Sequence, residues 1–280
     1  MLLNYIYNQP GVIAIVLIVL LLIIYFLRRY LPRKDKKITI EMGNAQRRGK
    51  RKRQEDSFTT IENQKGVLAV VADGMGGLSF GKQASGLATR VFANEFSKPT
   101  NIISANDFLI DTLHEGNKEL ISLGRERRTG TTLLAVLIRD NLLFWISVGD
   151  SQLYLYRDNN LAQVNPRHIY ANKLEEDYNA GKITKNELDN HPKRERLTTY
   201  LGYSNFSKYD YSQVPLRLQS GDKLLLCTDG IYKALYDVEI AEILEKDLHP
   251  METAEIMLER VLEKNLRQQD NSTAIVLKIK

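Results

Sequence analysis

Four aspartates in this sequence lie at the ends of short apolar runs, and each has a glycine or an asparagine beside it. The runs have the length and composition of buried strands, so packing them would bring the four carboxylates together. Clustered carboxylates that lack a basic neighbour repel each other unless a cation lies between them. Carboxylate oxygens suit Mg²⁺ or Mn²⁺, so the pattern predicts a divalent-metal site. The four residues are Asp73, Asp150, Asp229 and Asp270.

A phosphate-binding loop is the competing interpretation of the glycines that follow Asp73. Residues 76–83 nearly match its pattern, with an apolar run before them and helical spacing after them. The motif requires a Ser or Thr hydroxyl for Mg²⁺ at its last position, and Gln83 cannot supply that ligand. The rest of the sequence does not suggest a parallel sheet, so we favour the carboxylate site.

Six short motifs follow one another in an order that resembles a known enzyme family. Together they resemble the type 2C, metal-dependent serine/threonine protein phosphatases, and specifically the bacterial branch, over roughly residues 42–280. One such motif would be a weak signal, whereas six in order are a strong one. The motifs are RKRQEDSF at residues 51–58, VADGMGG at 71–77, TGTTL at 129–133, VGDS at 148–151, TDG at 228–230 and DNST at 270–273.

The resemblance implies a metal-binding role for most of the acidic positions. Asp73 would bridge two Mg²⁺ or Mn²⁺ ions, with the carbonyl of Gly74 as a further ligand. Asp229 and Asp270 would hold the first ion. Glu55 would support the second ion, directly or through a water.

The resemblance also implies roles for the remaining positions of these motifs. Asp150 would bind a third ion together with Asp229, so that two or three ions are expected. Arg51 would bind the substrate phosphate. Its position four residues before the Glu55–Asp56 pair distinguishes it from the other basic residues nearby. Asp56 would hold metal-bound waters or backbone in place, and Asn271 would orient the aspartate before it.

The implied reaction is hydrolysis of a phosphate ester without a covalent phosphoenzyme. Two bound cations lower the pKa of a shared water, which attacks phosphorus in line. The guanidinium of Arg51 would bind two equatorial oxygens. The expected catalytic residues are therefore Arg51, Asp73 and Asp229.

Residues 167–197 resemble the flap of bacterial members, which influences substrate access. The stretch is polar and predicted to be helical. Thr184 and Glu187 have the spacing of a capping box at the start of a helix. His191 is predicted to be structural rather than a proton donor.

The composition is that of a globular protein with one large domain. Of the 280 residues, 43% are hydrophobic and 26% are charged, which argues against disorder. The single cysteine, Cys227, excludes an intrachain disulfide and fits a reducing compartment. It lies in an apolar run without the Cys-x5-Arg loop of cysteine phosphatases, so it is predicted to be a core residue. The four histidines are scattered and suggest no zinc site.

The elements that must position the site are antiparallel strands with helices inserted between them. Hairpin patterns join residues 132–138 to 142–148 across Asp140 and Asn141. This order differs from alternating strand–helix units and predicts an α+β fold, with a central sandwich of two antiparallel β-sheets flanked by helices. The same architecture is implied by the resemblance. Helical spacing predicts helices near residues 81–97, 106–123, 237–246 and 254–266.

The net charge of +5 is concentrated near the N-terminus. Residues 28–53 hold twelve Lys or Arg and two acidic residues, so the chain after them carries a net charge of −5. The basic run at residues 47–53 lacks interleaved aromatic residues and a nucleic-acid-binding motif, so no nucleic-acid partner is expected. A solvated basic face and contact with anionic lipid headgroups both remain open for this run.

The first forty residues have the pattern of a membrane anchor. The apolar segment is about long enough to cross a bilayer. A signal peptide would have positive charge before the apolar run, whereas here the positive charge follows it. The positive-inside rule then predicts an N-terminus outside the cell and a cytoplasmic catalytic domain. The predicted order is a short extracytoplasmic segment at residues 1–10, a transmembrane helix at 11–31, a basic linker at 32–41 and the catalytic domain at 42–280.

The sequence thus predicts a membrane-anchored phosphoserine and phosphothreonine phosphatase of bacterial signalling. Its partners would be phosphorylated proteins, and its opponent would be a serine/threonine kinase. A non-catalytic phosphoprotein-binding scaffold is the alternative. We favour the enzyme because every metal-site aspartate is present, and the loss of one would be the simplest signature of the scaffold.

Overall fold

The computed structural model describes residues 10–30, 38–75, 80–123, 129–204 and 206–280. The chain divides into two compact units, Met1–Lys37 and Ile38–Lys280. Most of the predicted extracytoplasmic segment at 1–10 and of the predicted linker at 32–41 lies outside the described residues.

The described part of the first unit is a single helix, α1 (Pro10–Tyr30). Its large apolar side chains from Ile15 to Ile23 are exposed. Among the described residues, no helix is found to be long and apolar enough to cross a membrane. The predicted transmembrane helix at residues 11–31 is therefore not supported.

The second unit contains a first antiparallel sheet of five strands. In spatial order they are β1 (Ile40–Arg47), β13 (Ser272–Ile279), β12 (Lys223–Cys227), β8 (Gln152–Arg157) and β9 (Asn160–Gln163). Strands β1 and β13 pair along their whole length, with Ile40 opposite Ile279 and Arg47 opposite Ser272. This pairing joins the two ends of the unit and places the segment after β1 beside the segment before β13.

A second antiparallel sheet packs against the first. In spatial order its strands are β10 (Asp210–Tyr211), β7 (Leu142–Val148), β6 (Leu133–Arg139), β3 (Gly66–Ala72) and β2 (Ser57–Asn63), and β11 (Leu216–Arg217) also pairs with β7. The predicted hairpin between β6 and β7 is confirmed, and its turn residues Asp140 and Asn141 have φ of 52° and 62°. A separate pair of short strands joins β4 (Gly74–Met75) to β5 (Gly130–Thr131).

Seven helices are described in the second unit. They are α2 (Phe80–Ser97), α3 (Ala105–Leu123), α4 (Tyr170–Asn179), α5 (Lys185–Asn190), α6 (Asp229–Tyr232), α7 (Asp237–Glu245) and α8 (Pro250–Glu263). The predicted capping box of Thr184 and Glu187 is present at the start of α5. Helix α8 begins four residues before the predicted start, because Pro250 suits the first helical position and the imidazole of His249 accepts from the backbone N–H of Met251 at 3.3 Å.

The alternation along β3 shows how the layers pack. Leu68 and Val70 face α2 and α3, whereas Val67, Ala69 and Val71 lie in the core between the two sheets. A third cluster packs α7 and α8 on the outer face of the first sheet, and the buried thiol of Cys227 lies in it, as predicted for a core residue. The predicted α+β sandwich of two antiparallel sheets flanked by helices is therefore confirmed.

Candidate active site

Strand ends from both sheets meet around one cavity of about 390 Å³. Asp73 follows β3 and Asp150 lies just after β7 in the second sheet. Asp229 lies just after β12 and Asp270 precedes β13 in the first sheet. The packing of the sheets thus brings together the four carboxylates that the sequence predicted to cluster. Eight of the nine predicted site residues line the cavity: Arg51, Glu55, Asp73, Gly74, Asp150, Asp229, Asp270 and Asn271.

The repulsion among these carboxylates appears in their pKa values. Burial, reinforced by the charges of Asp56 and Asp229, raises the pKa of Asp73 well above its usual range. Burial, and then the charge of Asp229, raises the pKa of Asp150 to about 6. Burial also raises the pKa of Asp56 to about 7. Several buried negative charges in one place are costly, and a bound cation would remove most of that cost.

The donor atoms of the cavity fit a hard divalent cation. The Oδ1 of Asp229 is buried and has no hydrogen-bond partner in the described parts of the chain. Its Oδ2 accepts from the ammonium of Lys233 at 2.6 Å, and Asp270 forms an ion pair with Arg51. Among the described residues, no group of three or more His, Cys, Asp or Glu side chains is arranged to hold a metal ion. The oxygen-only donor set and the unpartnered Oδ1 are nevertheless what Mg²⁺ or Mn²⁺ requires.

Asp56, the ninth predicted residue, is fully buried and does not line the cavity. Its Oδ2 accepts hydrogen bonds from the hydroxyls of Thr228 at 2.9 Å and Thr273 at 2.7 Å. Thr228 lies just after β12 and next to Asp229, and Thr273 lies on β13, three residues after Asp270. Asp56 therefore fixes the spacing of the two strand ends that carry those carboxylates.

The side-chain amide of Asn271 is hydrogen-bonded to the backbone of the loop that carries Arg51. Its side-chain NH₂ donates to the backbone carbonyls of Arg48 at 2.8 Å and Arg53 at 2.9 Å. Its side-chain carbonyl accepts from the backbone N–H of Glu55 at 2.8 Å. The amide thus positions two predicted site residues at once. The orientation of Asp270 by Asn271 stays a prediction; the contact between them is a hydrogen bond from the backbone N–H of Asn271 to the Asp270 carboxylate at 2.8 Å.

The glycine after Asp73 is required by a close approach of the backbone. A Cβ on Gly74 would lie 2.1 Å from the carbonyl oxygen of Gly81, at the start of α2. A Cβ on Gly81 would in turn lie 2.9 Å from the carboxylate of Glu55. The two glycines let α2 begin against the Asp73 turn, and the hydroxyl of Thr132 accepts from the backbone N–H of Asp73 at 2.9 Å.

The family to which this arrangement belongs follows from comparison with known proteins. The family model of protein phosphatase 2C matches residues 43–268. The chain belongs to the protein phosphatase 2C family. A serine/threonine phosphatase named stp, from Listeria innocua, is 30% identical over 231 residues, which cover 80% of this chain and 89% of that protein. The chain is accordingly an enzyme, a protein serine/threonine phosphatase.

Two solved structures extend the similarity to the fold and the cofactor. The S. agalactiae serine/threonine phosphatase covers 86% of this chain and 100% of its own, with a TM-score of 0.78 and 24% identity, and it bears on the fold alone. The catalytic domain of the phosphatase PstP, solved with two manganese ions, is 27% identical, with a TM-score of 0.69 over 87% of this chain and 99% of its own. Mn²⁺ or Mg²⁺ is therefore the cofactor of this phosphatase family.

Reasoning from the sequence missed two residues, Lys233 and Tyr232, that contact the carboxylates of the phosphatase cavity. Lys233 lines the cavity, and its ammonium lies 2.6 Å from Asp229 Oδ2 and 3.9 Å from Asp150 Oδ2. The hydroxyl of Tyr232 donates to the same Asp150 oxygen at 3.0 Å. The expectation that the carboxylates lack a basic neighbour is therefore wrong. The signal was available, because Lys233 is four residues after Asp229 and a short helix places the two side chains on one face.

Residues 167–197, which the resemblance predicts to be a flap, reach the same cavity through Glu195 and Leu197. Their first residues are held by His168, whose Nδ1 accepts from the backbone N–H of Gly149 at 3.0 Å and whose Nε2 is 2.7 Å from Asp210. Burial lowers the pKa of His168, so the neutral ring donates from Nε2 to Asp210. Because Gly149 precedes Asp150, this histidine connects the start of residues 167–197 to the backbone beside a carboxylate of the phosphatase cavity.

Proposed function

We propose that this phosphatase hydrolyses phosphoserine and phosphothreonine in proteins, and that Arg51, Asp73 and Asp229 carry the reaction. The observation that supports this proposal most is the meeting of four carboxylates from both sheets in one cavity that Arg51 also lines. A phosphate group needs a cation-rich site and a bidentate donor, and this cavity offers places for both.

In this proposal the metal ions are held by oxygen atoms at the strand ends. Asp73, Asp229 and Asp270 would hold them together with the carbonyl of Gly74, and Glu55 would support one of them. Such a pair of ions, when bound, supplies an activated water and neutralises phosphate oxygens. The unpartnered buried Oδ1 of Asp229 and the raised pKa of Asp73 support the assignment.

Arg51 would bind the substrate phosphate. Its side chain is 57% exposed and forms an ion pair with Asp270 at the edge of the cavity. A divalent cation at Asp270 would compete with the guanidinium of Arg51 for this carboxylate. Binding of a cation at Asp270 would therefore release the Arg51 fork, which matches two oxygens of a phosphate group.

The test is phosphate release by residues 38–280, which form a compact unit of their own. Three peptides of one sequence would carry phosphothreonine, phosphoserine or phosphotyrosine, each assayed with Mn²⁺ and with EDTA. We expect Mn²⁺-dependent release from the first two peptides and none above background from the third. No release from folded protein that binds Mn²⁺ would overturn the proposal and favour the non-catalytic phosphoprotein-binding scaffold.

We further propose that the phosphatase acts at the cytoplasmic face of the cell membrane, attached through residues 11–31, against a serine/threonine kinase. The exposed apolar side chains of α1 and the basic residues that follow it in the sequence support attachment. The full-length chain should sediment with membranes, whereas a chain that begins at Ile38 should remain in the supernatant. Equal partition of the two chains would contradict attachment. Loss of the enzyme should raise phosphoserine and phosphothreonine on the substrates of that kinase.

A further inference from the structure

A cation of the chain itself lies between two of the predicted metal ligands. The ammonium nitrogen of Lys233 is 2.6 Å from Asp229 Oδ2 and 3.9 Å from Asp150 Oδ2. Asp150 and Asp229 are the pair to which the family resemblance assigned a third metal ion. The chain thus brings a fixed positive charge to the position where that ion would neutralise the two carboxylates.

The backbone holds the ammonium at this position. Lys233 is the C-terminal cap of α6, four residues after Asp229, and its backbone N–H donates to the Asp229 carbonyl at 3.0 Å. The side chain and the backbone of Lys233 therefore both contact Asp229. A residue one helical turn away reaches the carboxylate without extending across the cavity.

The second carboxylate of the pair is also engaged by protein donors. Asp150 Oδ2 accepts from the hydroxyl of Tyr232 at 3.0 Å, and the same oxygen faces the ammonium of Lys233. The ring of Tyr232 is covered by the guanidinium of Arg167, which lies 5.5 Å from its centroid. A metal ion between Asp150 and Asp229 would have to displace the ammonium and compete with the hydroxyl for this oxygen.

We propose that Lys233 takes the place of the third metal ion, so that this phosphatase binds two ions and neutralises Asp150 with its own side chain. The ammonium leaves the other oxygen of Asp229 available to an ion on the far side. A divalent cation brought beside the ammonium would meet electrostatic repulsion in a partly buried site, where charges interact strongly. The sequence-based role of Asp150 as the ligand of a third ion is thereby replaced by a role as the partner of Lys233 and Tyr232.

The proposal rests on the proposed function only through its use of the metal ligands, and it is tested by counting ions rather than by activity. The full-length wild type, Lys233→Met and Lys233→Arg would be titrated with Mn²⁺ in equilibrium dialysis until the bound count stops rising. Lys233→Met removes the charge at similar length, and Lys233→Arg keeps it. Thermal unfolding of each variant would establish that it is folded.

We expect two Mn²⁺ ions for the wild type and for Lys233→Arg, and three for Lys233→Met. Three ions in the wild type, or two in folded Lys233→Met, would overturn the inference. If Lys233→Met does not fold, anomalous diffraction from Mn²⁺-soaked wild-type crystals decides the question, because a peak between Asp150 and Asp229 contradicts the proposal and its absence beside two occupied sites supports it. Failure of the wild type to bind any Mn²⁺ would instead overturn the proposed function.

Discussion

The side-chain carbonyl of Asn271 accepts a hydrogen bond from the backbone N–H of Glu55 at 2.8 Å, across 216 residues of sequence. The same amide donates to two carbonyls of the loop that carries Arg51. A residue next to the last strand therefore fixes the loop that carries Arg51, near the start of the domain. This contact predicts that the loop, and not the metal ligands alone, depends on Asn271.

Asn271→Ala should weaken both folding and catalysis. Its loss leaves three backbone groups without their partner, which should lower the free energy of unfolding by about 1–3 kcal/mol. Looser placement of Arg51 and Glu55 should lower kcat/KM by roughly tenfold or more. The control is Asn106→Ala, whose amide donates to Ser212 outside the cavity at 2.9 Å. It should lose stability and keep kcat/KM, so an equal loss of kcat/KM in both variants would contradict the role of Asn271.

Arg51→Lys should impair catalysis without releasing metal. The lysine keeps the charge but loses the fork that binds two phosphate oxygens, so kcat/KM should fall by roughly 100-fold. Arg53→Lys, an exposed arginine of the same loop, should change it little. The measurements are steady-state kinetics on a phosphothreonine peptide and Mn²⁺ binding by calorimetry. Equal kinetics for the two variants would exclude Arg51 as the phosphate-binding residue.

The metal-free protein should lose stability as the pH rises. An aspartate whose pKa is raised on folding binds its proton more tightly in the folded chain, so its deprotonation favours unfolding. Asp56 and Asp150, with pKa values of about 7 and about 6, therefore lower the free energy of unfolding from the ordinary aspartate pKa upward. Asp73, whose pKa is also raised by burial, acts in the same direction. The pKa of His168 is lowered by burial, so this group raises the free energy of unfolding as the pH rises. Its single contribution opposes those of three aspartates.

The check is thermal unfolding in EDTA between about pH 5 and about pH 8. The unfolding temperature of the wild type should fall across this range. The unfolding temperature of Asp56→Asn should fall less steeply, because residue 56 no longer titrates in that variant. Mn²⁺ should stabilise the wild type more at the higher pH, since metal binding requires ionised carboxylates. A rising unfolding temperature in EDTA, or an equal slope in Asp56→Asn, would contradict the assignment of these pKa shifts.

Gly74→Ala should damage the cavity through the backbone. The added Cβ would lie 2.1 Å from the carbonyl oxygen of Gly81, so α2 must move, at a cost of about 1–3 kcal/mol. The matched control is Gly86→Ala within α2, where the nearest atom to the added Cβ is the flexible end of Arg90 at 3.4 Å. It should be neutral or slightly stabilising, since alanine favours a helix. Urea unfolding of both variants would contradict this account if their free energies changed equally.

The cluster of carboxylates could be predicted because the ends of buried strands can be identified from a sequence. Each of Asp73, Asp150, Asp229 and Asp270 adjoins an apolar run, and packed sheets bring such ends together. The motifs alone do not predict which groups are contacted by the side chains that adjoin these aspartates. Asn271 bonds to a loop more than 200 residues away, and this distant pairing follows only from the register of β1 against β13.

The structure differs from the sequence-based predictions at two further places, and both differences have local causes. Lys233 belongs to none of the six motifs, although its spacing from Asp229 places its ammonium on that carboxylate once Asp229–Tyr232 is helical. The early start of α8 depended on a histidine cap and a proline, which helical spacing of apolar residues does not register. In both cases the missing information was a short-range contact of a polar side chain.

The most direct test of the central claim is phosphate release from a phosphothreonine peptide with Mn²⁺ by two Asp→Asn variants of residues 38–280. Asp229→Asn removes a proposed metal ligand, and Asp158→Asn changes an exposed turn residue at φ 50°, where asparagine is well tolerated. We predict that Asp229→Asn lowers kcat/KM by roughly 100-fold or more, since even partners outside the first coordination shell are worth 10- to 100-fold. Asp158→Asn should retain the wild-type value. Wild-type activity in folded Asp229→Asn would contradict metal-dependent hydrolysis at this cavity.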